Sequence, residues 1–71
     1  MTQRYLIVIE GNGSGHYSAY SPDIPGCAAT GDTLEECESV MREALALHIE
    51  SLRGHEDEIP QSSSSAAYVE V

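Results

Sequence analysis

Residues 34–53 constrain this chain more than any other stretch. Leu34, Cys37, Met41, Ala44, Leu45, His48 and Leu52 recur at three- and four-residue steps. That spacing makes one apolar stripe on a helix, and such a stripe has to be buried against something. Thr33 followed by Glu36 reads as a capping box, with Asp32, Glu35 and Glu36 beside the positive helix terminus. Gly54 is expected to stop the helix, with Arg53 near its negative end. The whole chain has only 71 residues, a size at which roughly 60% of the unfolded surface is buried on folding. One helix on one sheet is therefore what it can build, as a single domain over residues 1–71. A core that thin calls for outside support.

The rest of the chain supplies the sheet. Residues 4–10 are β-branched and aromatic and predict a strand. Tyr5, Ile7 and Ile9 fall on one face and Leu6 and Val8 on the other, the pattern of a central strand covered on both sides. Gly11-Asn-Gly-Ser-Gly15 is a hairpin turn rather than a phosphate cradle, because a strand and not a helix follows it. Residues 16–21 make the second strand, Pro22-Asp-Ile-Pro-Gly26 interrupts the ladder, and residues 27–30 make a short third strand. After the helix, residues 55–65 are polar and serine-rich and are expected to be a mobile linker. Residues 66–71 regain β character as a fourth strand. The expected fold class is α+β: a two-layer β-β-β-α-β arrangement with a four-stranded mixed sheet. The crossover places the last strand beside the first, in the order 3-2-1-4.

Charge and composition narrow the function. Twelve acidic residues face three arginines (Arg4, Arg42, Arg53), a formal net charge of −9. Counterion release at phosphates needs cations, so neither direct nucleic-acid binding nor attachment to an anionic membrane is expected. The longest apolar run, residues 5–9, is too short to span a bilayer. The N-terminal Met1-Thr2-Gln3-Arg4 has no signal-peptide pattern. Two cysteines, Cys27 and Cys37, are too few for a secreted disulfide scaffold and point to a reducing cytoplasm.

No catalytic set emerges. Glu35, Glu36 and Glu38 are explained by the helix dipole. His48 and His55, with Glu56 and Asp57, lack tight two-ligand spacing, so no metal or other cofactor is expected. Cys27 with His16 could be drawn as a nucleophile and base, but a thiolate needs a positive setting that this chain does not offer. Both cysteines read as small buried residues, and the protein is not expected to be an enzyme. One helix leaves one sheet face uncovered, which marks a self-association surface. Tyr5, Ile7, Ile9 and Tyr68 are the residues expected there.

The run Tyr17-Ser-Ala-Tyr20-Ser-Pro22-Asp23-Ile24-Pro25-Gly26-Cys27, followed by Gly31-Asp32-Thr33-Leu-Glu35-Glu36, resembles the N-terminal domain of the HicB family. HicB proteins are the antitoxin half of HicA–HicB toxin–antitoxin modules. The likeness continues through Met41-Arg-Glu-Ala-Leu45 to Gly54 and Ile59-Pro60. It implies a partial RNase H-like fold without a working catalytic site, dimers or tetramers, and a small basic HicA-type mRNA interferase as partner. Neutralisation would then cover the toxin's RNA-binding surface and block its catalytic histidine. An acidic chain suits such a partner by charge complementarity. The resemblance places partner binding on Tyr17, Tyr20, Asp23, Ile24, Pro25, Gly26 and Cys27. Full-length members commonly add a C-terminal DNA-binding motif. Because this sequence stops at Val71, operator binding is not carried over. Cys37 stands where the family usually has alanine. The alternative is an orphan HicB-fold module that oligomerises, serves another protein partner and has no toxin role.

Overall fold

The computed structural model describes residues 3–71; Met1 and Thr2, part of the N-terminal stretch read above, lie outside the described residues. Three strands and one helix follow in order: β1 (Val8–Gly11), β2 (Tyr17–Ser21), β3 (Ile24–Gly31) and α1 (Leu34–Gly54). The strands form an antiparallel sheet in the order β1-β2-β3. The hairpin between β1 and β2 closes locally. The Asn12 side chain accepts from the Ser14 N–H at 2.9 Å, and the Asn12 N–H donates to the His16 carbonyl at 3.1 Å.

Register explains the strand bounds. Val8 pairs with Tyr20 and Gly11 with Tyr17, so the ladder begins at residue 8, not at the expected residue 4. Pro22 has no N–H with which to continue it. The buried Ser21 hydroxyl donates to the Leu6 carbonyl instead, at 2.8 Å. Between β2 and β3 the register jumps from Tyr20↔Ala28 to Ser21↔Ile24, which loops out Pro25, Gly26 and Cys27. Gly26 has φ of 81°, a conformation suited to glycine. The prolines were expected to hold back the third strand until residue 27, yet it starts at Ile24. On an edge strand with a bulge, a missing N–H costs no ladder bond.

The pleat sorts the faces. Ala19, Ser21, Ala29 and Gly31 point to the helix and are buried. Cys37 and Met41 meet them from α1, and Ile24 and Cys27 complete the core. Small residues on the sheet let the helix come close. A Cβ at Gly31 would lie 2.7 Å from the Cys37 backbone nitrogen. The helix start follows from its cap: the Thr33 hydroxyl accepts from the Glu36 N–H at 3.0 Å. The Glu36 carboxylate accepts in return from the Asp32 N–H at 3.2 Å.

The helix stop differs from expectation. Gly54 is still helical, and Glu56 takes the left-handed conformation with φ of 57°. Asp57 N–H donates to the Leu52 carbonyl at 2.9 Å and Glu56 N–H to that of Arg53 at 3.1 Å, which is a Schellman pattern.

The fourth strand is the main difference. Residues 66–71 pair with no strand among the described residues. β2, not the first strand, is central, and β1 has an open edge. The preceding connection, residues 55–65, returns to the body. The Tyr5 hydroxyl donates to the Pro60 carbonyl at 2.7 Å, and Ser63 and Ser64 meet Asp23. Beyond that anchor residues 66–71 join no strand among the described residues, and Tyr68 and Val71 are fully exposed.

Candidate interaction surface

Asp23 sits at the corner between β2 and β3. Its carboxylate accepts from the Ser64 hydroxyl at 2.8 Å and the Ser64 N–H at 3.1 Å. It also accepts from the Ser63 hydroxyl at 3.1 Å and the Ser63 N–H at 3.2 Å. These donors hold the carboxyl below its ordinary value, the Ser64 hydroxyl most strongly. Asp23 is thus committed to its own chain. Nothing in the local pattern of residues 61–65 announces this pairing, because its acceptor lies 40 positions away.

The other residues expected to bind a partner divide into two groups. Ile24 and Cys27 are buried in the core, where they anchor the two ends of the bulge and present almost no surface. Burial pushes the Cys27 thiol up, away from the thiolate that nucleophilic chemistry needs. Cys27 and Cys37 are both free. Pro25 and Gly26 stand exposed on the bulge. Tyr20, nearly half exposed, lies across from Ala28, where the ladder resumes. Tyr17 points to the opposite face, with its ring against Gly11. Tyr20, Pro25 and Gly26 therefore form the exposed remainder.

The uncovered sheet face carries Val8, Glu10, Ser18, Tyr20, Ala28 and Thr30, by the register of the two ladders. Tyr5, Ile7 and Ile9, expected on that face, pack instead against the core on the helix side. Tyr68, the fourth residue expected there, stands in solvent. Around the body, every acidic residue except Asp23 is exposed, which leaves a strongly negative surface.

The antiparallel sheet, the bulge carrying Pro25-Gly26 and the capped helix all fall within one family match. Residues 5–71 match the HicB-like antitoxin of bacterial toxin–antitoxin systems. The chain belongs to the HicB-like antitoxin family. Its relatives are spread widely. A protein from the rep–hol intergenic region of Haemophilus phage HP1 is 38% identical over 92% of this chain and 48% of its own length. This chain thus spans about half of that phage protein. A UPF0150 protein of Thermoplasma acidophilum is 33% identical over 86% of this chain and 88% of its own. One of Synechocystis is 37% identical over 80% and 72%. No solved structure gives a significant match. No helix among the described residues of this HicB-like chain is long and apolar enough to cross a membrane.

Proposed function

We propose that this HicB-like chain is an antitoxin that binds and neutralises a small basic HicA-type mRNA interferase in the cytoplasm. It does so by covering the toxin's RNA-binding and catalytic surface. The family match over residues 5–71 carries this reading, and the surface chemistry supports it. A net charge of −9, displayed on exposed side chains, attracts a basic protein and orients its approach. Tyr20 beside the exposed Pro25-Gly26 bulge offers a rigid aromatic anchor, the kind of residue that dominates binding energy at an interface. The partial RNase H-like scaffold serves as a binding frame rather than a catalyst, and the chain acts as a homo-oligomer.

The test is co-expression with a HicA-type toxin encoded beside it. Growth is expected to be restored, and the two proteins are expected to purify as one complex. Tyr20→Arg should weaken that complex at least tenfold, about 1.4 kcal/mol, while the thermal transition of the free chain stays in place. Failure to restore growth together with failure to form a complex sinks the toxin reading. Unchanged affinity in Tyr20→Arg moves the contact away from the bulge.

A further inference from the structure

We infer that residues 66–71 form the fourth strand of a second copy's sheet, laid along the open edge of its β1, so that two copies exchange these segments reciprocally. The inference rests on the self-association put forward above and is independent of the toxin reading.

Both halves of the exchange are visible in a single chain. A strand edge presents a row of backbone donors and acceptors that templates another strand. The two sheet edges are not equivalent. β3 is blunted by Pro25 and its bulge, whereas the β1 edge has no proline and is flanked by the half-buried apolar side chains of Leu6, Ile7, Val8 and Ile9. The segment Ala66-Ala-Tyr-Val-Glu-Val71 has strand composition, and it is long enough, at about 3.3 Å per residue, to run the length of β1. Its apolar side chains are left uncovered by the described residues: Tyr68 and Val71 are fully exposed and Val69 is 81% exposed.

The anchor before the segment favours a second copy over the segment's own sheet. Asp23 fixes Ser63 and Ser64 at the β2–β3 corner, and every residue that follows is exposed and outside the sheet. A cleft of about 540 Å³ separates residues 4–7 from Ser62, Ser64 and Ser65. The connection therefore stands off from the segment that leads into β1. Alternation supplies the side-chain match. Ala67, Val69 and Val71 share one face of an extended strand. Turned inward, that face meets a groove of about 520 Å³ between α1 and the N-terminal segment, where Tyr5, Leu45, Ala46 and Ile49 supply an apolar floor rimmed by polar and charged side chains such as Arg42 and Arg53. Filling it would supply the outside support that so thin a core calls for.

The experiment is sedimentation equilibrium on the full chain and on Val69→Pro, followed by NMR on a mixture of isotopically labelled and unlabelled copies. A proline at position 69 removes a ladder donor and breaks no contact within the chain, so the helix signal in circular dichroism should persist. The full chain is expected to be a dimer at micromolar concentration, and Val69→Pro a monomer. Mixed dimers should show contacts between residues 66–71 of one copy and residues 5–9 of the other. A monomeric full chain overturns both self-association and exchange. A dimer that persists in Val69→Pro, or strand contacts confined to one copy, overturns exchange alone.

Discussion

Glu56 holds a backbone conformation that glycine adopts without strain. Its φ of 57° sets Cβ against the neighbouring carbonyl, a penalty of about 1–2 kcal/mol for a residue with a side chain. Glycine's greater freedom in the unfolded chain offsets part of the gain. Glu56→Gly should therefore stabilise the fold by about 0.5–1 kcal/mol, read as a rise of a few degrees in Tm. Asp23 predicts a pH dependence. Its carboxyl lies below the ordinary value of 3.8 because Ser64 and Ser63 donate to the ionised form. On acidification the unfolded chain takes up this proton before the folded one does. The stability that Asp23 adds is thus complete above that value and is lost as pH falls through the lower folded value. In urea melts from pH 6 down to pH 2, Asp23→Asn should be less stable than the natural chain at pH 6, and the gap should close at the acid end.

At the level of the elements, the contact between β3 and α1 leaves no room for a side chain at Gly31. An added Cβ would stand 2.7 Å and 2.9 Å from the backbone nitrogen and Cα of Cys37, and backbone cannot swing aside. Gly31→Ala should cost about 1–3 kcal/mol, measured as a lower urea midpoint with an unchanged slope. Thr33→Ala should cost about 1 kcal/mol by removing the helix cap, with the loss seen in the same melts. These elements differ in how far local pattern reveals them. The helix and its Thr33–Glu36 box are legible because both signals lie within a few residues of each other. The helix stop is less so. Gly54 is the conventional terminator, but the chain continues two residues further before it turns. The β3 start is hidden because Pro25 looks like an interruption until the edge position of the strand is known. The candidate surface is legible only in part. Tyr20, Pro25 and Gly26 are exposed as the motif suggests, whereas Ile24 and Cys27 belong to the core. Local pattern marks residues 66–71 as a strand, yet they pair with no strand among the described residues. The hydrogen bonds that hold the preceding serines to Asp23 join positions too far apart in sequence for local pattern to reveal.

For the whole molecule, charge separates two kinds of association. Two copies each bearing −9 repel one another, while the same field would draw in the basic toxin proposed as partner. Added salt should therefore tighten the proposed self-association and weaken the proposed complex with toxin. Titration calorimetry and sedimentation in a salt series can read both slopes. The core has a consequence of another sort. Cys27, Cys37 and Met41 make up half of its apolar side chains among the described residues. While the domain stays closed Cys37 and Met41 are out of reach of peroxide and Cys27 is nearly so. Each global opening exposes all three. A sulfoxide at Met41, or a sulfinic acid at either cysteine, is too polar to return to the site it left. Peroxide damage should therefore track how often the domain opens, which makes the sulfur atoms a chemical clock for unfolding.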